Sequence, residues 1–183
     1  ILFRDDNSNG VRDRNEPGIS GVPVRVGGWP SQTDADGRFT AWGLYPTEPV
    51  QIDVDSLSFG NPQLILPAPV LQVRPSPNAF GTIEVPVVVG GEVSGFVVFR
   101  NEALAGVPVV LREMNTGIEI TTFTFGDGAF YKSGVPPGDY EVTLPDAVLE
   151  RIGAYAPPLN ILVPPGGGDK RFEDLQLMLE SRT

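Results

Sequence analysis

Twelve residues near the amino end carry the one arrangement in this chain that could do chemistry: Asp5-Asp6-Asn7-Ser8-Asn9-Gly10-Val11-Arg12-Asp13-Arg14-Asn15-Glu16. Short oxygen-bearing side chains recur at alternate positions, at Asp5, Asn7 and Asn9. Gly10 follows them, and Asp13 and Glu16 close the run. The spacing fits D-x-[DN]-x-[DN]-G-x5-E at every specified position. A hard cation with six to eight oxygen ligands needs this pattern. Asp5, Asn7 and Asn9 would supply the first three ligands, and Gly10 would allow the sharp turn. The Val11 carbonyl would follow, then Asp13 directly or through water, and Glu16 would close the shell with both oxygens. The ion implied is Ca2+.

The flanks are not helical. Ile1-Leu2-Phe3 reads as strand and Pro17-Gly18 as a turn. The loop therefore stands without the helix pair of an EF-hand, and a hinged sensor movement is not expected. Three carboxylates and two neutral amides, diluted by Arg4, Arg12 and Arg14, imply a modest affinity of about 10⁻⁴ M. At about 2 mM calcium, such a site would stabilise its domain by roughly 2 kcal/mol.

Little else on the chain is reactive. It has no His and no Cys, so the commonest general base, zinc sites and disulfides are absent. Glu102, Glu113 and Glu119 are scattered over turns and solvent faces, with nothing to pair two of them across a cleft. The formal net charge is −10, which makes nucleic acid a poor partner. No apolar run approaches the about 20 residues of a membrane span. Trp29, Trp42 and Tyr45 are the candidates for a binding surface. If exposed, they could stack on a glycan or anchor a protein; the expectation favoured here is that they cap the sandwich or pack at a domain junction.

The elements that must position these residues are written twice. Gly21-Val22-Pro23-Val24 returns as Gly106-Val107-Pro108-Val109. Asp36-Gly37 before Phe39 returns as Asp127-Gly128 before Phe130, and Gly43-Leu44-Tyr45-Pro46 returns as Gly134-Val135-Pro136-Pro137. Pro69-Val70-Leu71-Gln72-Val73 resembles Pro158-Leu159-Asn160-Ile161-Leu162, and residues 80–87 resemble 171–177. In the second copy, strands are expected at 93–100, 107–113, 118–125, 129–133, 139–144, 159–163 and 172–178, with one helical turn near 147–151. Seven short strands in about 90 residues predict a β-sandwich. The boundary falls near residue 90, giving domains 1–89 and 90–183 joined by about two residues. So short a joint predicts a semi-stiff pair.

Aligning Phe3 with Phe99 and Gly21 with Gly106 gives the first copy 11 extra residues, and these hold the calcium motif. The same alignment places about five residues of the first strand upstream of Ile1. The chain is accordingly expected to be a piece of a longer protein.

The run from Asp5 to Val24, with Thr33-Asp34-Ala35-Asp36-Gly37-Arg38-Phe39, resembles the calcium-binding B-type repeat of bacterial surface adhesins. The second copy resembles the carboxypeptidase-regulatory-like, or collagen-adhesin B-type, domain through Gly95 to Val98, Gly106-Val107-Pro108-Val109, Asp127-Gly128-Ala129-Phe130 and Gly134 to Tyr140. The resemblance implies an all-β fold of two tandem seven-stranded immunoglobulin-like or transthyretin-like β-sandwiches. It places them at the cell surface, in the cell envelope or outside the cell, as a stalk, spacer or platform beside neighbouring domains of a longer surface protein. Some relatives carry a Lys–Asn crosslink; here Lys132 and Lys170 lie outside any first strand, and no crosslink is expected. A shorter likeness, through Asp34 to Arg38 and Pro49 to Leu57, is to soluble end domains of outer-membrane usher-like proteins.

Overall fold

The computed structural model describes residues 1–45, 48–68, 71–76, 81–166 and 171–181. Pro46, Pro69, Val70, Phe80 and Lys170, which enter the repeat and crosslink comparisons, lie outside the described residues. The chain is all-β and divides into two compact units, Ile1–Val89 and Gly90–Thr183.

Among the described residues the first unit has seven strands: β1 (Leu2–Arg4), β2 (Pro23–Val26), β3 (Trp29–Gln32), β4 (Val50–Val54), β5 (Leu64–Ile65), β6 (Leu71–Val73) and β7 (Val85–Val89). They form a three-stranded sheet in the order β1-β7-β5 and a four-stranded sheet in the order β3-β2-β4-β6. Strand β1 runs parallel to β7, with Leu2 opposite Val85. Alternation along β2 buries Val24 and Val26 while Pro23 and Arg25 face out. The core falls in two clusters, one around Leu2, Val22, Phe59, Val85 and Val87, the other around Val24, Val26 and Ile52. Phe39, Val54, Leu71 and Ile83 pack against both. A 3-10 turn at Ser56–Phe59, not anticipated from sequence, is capped by the Asp55 carboxylate and buries Phe59.

The second unit has the seven strands expected: β8 (Gly91–Phe99), β10 (Pro108–Glu113), β11 (Glu119–Phe123), β12 (Ala129–Val135), β13 (Gly138–Thr143), β15 (Leu159–Val163) and β16 (Arg171–Ser181). Two two-residue strands, β9 (Glu102–Ala103) and β14 (Ala154–Tyr155), add to them. The sheets are β11-β10-β13-β15 and β12-β8-β16-β14, with β9 on β8. Inner-face residues of both sheets, among them Val97, Leu111, Phe130, Tyr140, Val142 and Leu177, meet in one core. The expected helical turn is a helix, α1 (Asp146–Ile152). Pro145 precedes it, and Gly153, left-handed at φ 66°, ends it.

The duplication is visible in the backbone. In each unit a β-hairpin is closed by a buried threonine: Val22 N–H donates to Thr33 Oγ1 at 2.8 Å, and Val107 N–H to Thr124 Oγ1 at 2.9 Å. Leu2 N–H donates to the Gly37 carbonyl as Val97 N–H does to that of Gly128, and Ile19 to Leu2 as Leu104 to Val97. These bonds correct the alignment by one position. Leu2 matches Val97, so Phe3 matches Val98 rather than Phe99. Ladder position, not the shared ring, sets the correspondence.

Candidate metal site

The loop leaves β1 at Arg4 and returns through Pro17 and Gly18, which lie against β1. Arg4 N–H donates to the Pro17 carbonyl at 2.9 Å, and Phe3 bridges Gly18. Asp5 N–H donates to the Val87 carbonyl of β7 at 2.9 Å, so the first candidate ligand is fixed to the sheet.

Asp5 and Glu16, the two ends of the motif, are buried at 2% and 6% exposure. Asp5 Oδ1 accepts Asn9 N–H at 3.2 Å and Oδ2 accepts Gly10 N–H at 2.8 Å, which folds the loop over the carboxylate. Glu16 Oε1 accepts Asp6 N–H at 2.9 Å and Oε2 accepts Asp13 N–H at 2.9 Å. Asn7 Oδ1 accepts Asn9 N–H, and Asn9 Oδ1 accepts Val11 N–H, a chain of local turns that short amide side chains favour. Gly10 has φ 77°, the left-handed turn required of it. Ser8 is also left-handed, and its hydroxyl oxygen is buried without a partner.

These donors suit a hard cation. Each oxygen of Asp5 and Glu16 accepts one N–H and keeps a lone pair. No ion pair reaches either carboxylate among the described residues. The nearest candidates are otherwise engaged. Arg4 forks onto Asp6, at 2.8 and 2.9 Å, and that bond raises the guanidinium above its ordinary pKa. Arg12 Nε donates to the Glu16 backbone carbonyl. Two buried anions with no ion-pair partner are unfavourable by themselves. Asp13 stands apart: exposed, its Oδ2 accepts the amide N–H groups of Asn7 at 2.8 Å and Asn9 at 3.1 Å. Among the described residues no three Asp or Glu side chains gather at metal-binding range. Val11 exposes its side chain.

Sequence reasoning missed Glu84, whose Oε2 accepts Arg12 N–H at 3.0 Å and ties the loop to the approach to β7. Nothing in the local pattern marks it, because the partners are 72 positions apart. It also passed over Thr33 and Thr124, although both precede the Asp-Gly turns at matching distance.

The aromatic candidates all face solvent: Trp29 at 63%, Trp42 at 66% and Tyr45 at 80% exposure. They therefore do not cap the sandwich, one of the two placements favoured from sequence. Trp29 opens β3 just after the Gly27-Gly28 turn, and Leu44 and Val50 flank Gly27. The backbone entering Tyr45 therefore passes beside the hairpin that carries Trp29.

No family model matches the chain, and no curated protein matches it. Among solved structures, the chain is similar to the TIE protein of Bacillus anthracis (11% identity, TM-score 0.38, covering 98% of this chain and 33% of that one). It is also similar to a DUF3823 family protein of Parabacteroides merdae (18% identity, TM-score 0.35, covering 50% and 46%). A third likeness is to GBS52, the minor pilin of Streptococcus agalactiae (14% identity, TM-score 0.42, covering 100% and 96%). The chain thus spans a third of the first and under half of the second. Among the described residues no helix is long and apolar enough to cross a membrane.

Proposed function

We propose that this chain is a non-catalytic structural module of a bacterial surface protein, acting outside the cell as a spacer, whose first sandwich is stiffened by Ca2+. The observation that carries the reading is the pair Asp5 and Glu16: two buried carboxylates, wrapped by backbone N–H groups, that no ion pair reaches among the described residues. Calcium would be held by Asp5, Asn7, Asn9, the Val11 carbonyl and Glu16, with Asp13 reached through water or after releasing the two amides. The ion supplies the missing positive charge and joins the start of β1's loop to its end. Neighbouring domains of the longer protein are the natural partners.

The test uses a convenient reporter, since both tryptophans of the chain lie in the first unit. Thermal unfolding followed by tryptophan fluorescence should move up by about 10 °C between chelator and 2 mM calcium. An unmoved transition removes the metal from the account.

The exposure of Trp29, Trp42 and Tyr45 favours a second reading, a module that binds a glycan or a protein. Saturable quenching of tryptophan fluorescence by a sugar panel would support it, and no quenching across the panel would count against the glycan form.

A further inference from the structure

The loop holds a second piece of chemistry. Asn9-Gly10 is the chain's one Asn-Gly pair, and both residues are exposed. Asparagine is a thermally labile side chain, and a glycine after it has no Cβ to hinder its backbone nitrogen. Even a Cβ added to Gly10 would meet nothing within 4 Å, so the pair is open to water.

The chemistry available to the pair is deamidation. The Gly10 nitrogen attacks Asn9 Cγ and a bond forms between them. The Cγ–Nδ2 bond breaks, and Nδ2 leaves as ammonia with the Gly10 proton. Water then opens the five-membered imide. Addition at Cγ breaks the new bond and leaves aspartate at position 9. Addition at the backbone carbonyl breaks the original peptide bond instead and leaves isoaspartate, with one methylene added to the main chain.

Attack requires two movements. The side-chain amide must turn the face of its carbonyl to Gly10, and the peptide nitrogen must leave its own plane. The closed loop holds both groups. Gly10 N–H donates to Asp5 Oδ2 at 2.8 Å, and Asp5 is itself fixed to β7 through its N–H on the Val87 carbonyl. Asn9 Oδ1 accepts Val11 N–H at 2.7 Å and Nδ2 donates to Asp13 Oδ2 at 3.1 Å, so the side-chain amide is tied at both ends.

We propose that Asn9-Gly10 is a deamidation site, restrained while the loop is closed and released when it opens. The change is one-way. The product carries a carboxylate where Nδ2 had donated to Asp13, so a hydrogen bond becomes a contact between like charges. The loop then recloses less well, and its opening is recorded as a permanent negative charge. Neither the reaction nor its restraint needs an ion.

The test incubates the full chain in chelator at neutral pH, folded and, in parallel, unfolded in urea. Trypsin releases residues 5–12 by cutting after Arg4 and Arg12. Mass spectrometry then reads amide-to-acid conversion at Asn9, with Asn7 in the same peptide as the internal reference. Conversion should be at least about tenfold slower in the folded chain than in the unfolded one. Asp13→Ala removes the acceptor of the Asn9 amide and should speed the folded chain about threefold to tenfold, the worth of one modest hydrogen bond. Arg14→Ala should match the unsubstituted chain. The converted chain, isolated by anion exchange, should exchange the amides of residues 9–11 faster than the unconverted chain. Equal rates folded and unfolded, equal rates for the two variants, conversion centred on Asn7, or unchanged amide exchange would each overturn the proposal. With chelator present throughout, failure here leaves the calcium reading standing, and failure of calcium to bind leaves this site standing.

Discussion

Substitution of Gly37 tests how the strand that launches the ion loop is held. Gly37 has φ 75°, and its carbonyl accepts Leu2 N–H at 2.7 Å. An added Cβ would stand 2.0 Å from the Leu2 carbonyl oxygen and 2.9 Å from Ile19 N. In Gly37→Ala the Leu2 carbonyl must retreat by more than an ångström-scale adjustment allows. That sacrifices Leu2 N–H to Gly37 and Ile19 N–H to Leu2. A left-handed alanine costs about 1–2 kcal/mol, and two neutral hydrogen bonds add about 1 kcal/mol each. The sum is roughly 3–4 kcal/mol, a large part of the 5–15 kcal/mol typical of a domain. Gly21→Ala is the matched control. Its φ is 74°, but nothing lies within 4 Å of the added atom, so only the conformational part remains. In urea, with tryptophan fluorescence as the probe, the midpoint of Gly37→Ala should fall about two to three times as far as that of Gly21→Ala. Equal midpoints for the two variants would refute the steric argument and the placement of β1.

Three further outcomes are expected. Glu16→Gln removes one of the two buried charges and sets an amide NH2 against the Asp6 or Asp13 N–H; urea melts with and without calcium should show its calcium response abolished. Thr33→Val and Thr124→Val each leave a buried N–H, of Val22 or Val107, without its hydroxyl acceptor. Each should cost about 1–3 kcal/mol, and chelator-treated melts should show the loss confined to the substituted unit. Burial first, then the nearby Glu113 carboxylate, raises the Tyr140 phenol to about 12, and its hydroxyl donates to the Pro136 carbonyl at 2.9 Å. The protonated form is the one the fold favours, so this contribution is complete below pH about 10 and is lost as pH rises towards 12. Absorbance titration should show a tyrosinate step near pH 12 that Tyr140→Phe removes.

The second unit was the more legible in sequence because its strands are long and alternate cleanly. Along β8, positions 91, 93, 95, 97 and 99 are buried and their neighbours are not. In the first unit the sequence of 38–44 reads like β12, yet no strand forms there, since strand state depends on a partner that local pattern does not encode. The one-position slip at Phe3 has the same origin: two phenylalanines look equivalent until the ladder is traced. The helix outgrew its expected turn because Pro145 and Gly153 frame a full seven residues. At the site, the spacing pointed to Asp5, Asn7, Asn9 and Glu16 as ion ligands, and these same side chains accept the backbone N–H groups that shape the loop. It could not foresee that Asp13 would be drawn away by the amides of Asn7 and Asn9, nor that Glu84 would reach in from far along the chain.

Calcium titration of the full chain by isothermal calorimetry meets the central claim most directly. The account predicts one saturable site with Kd of about 10⁻⁴ M, absent in Asp5→Asn. Heat no different from buffer dilution, or an undiminished site in that variant, would contradict it.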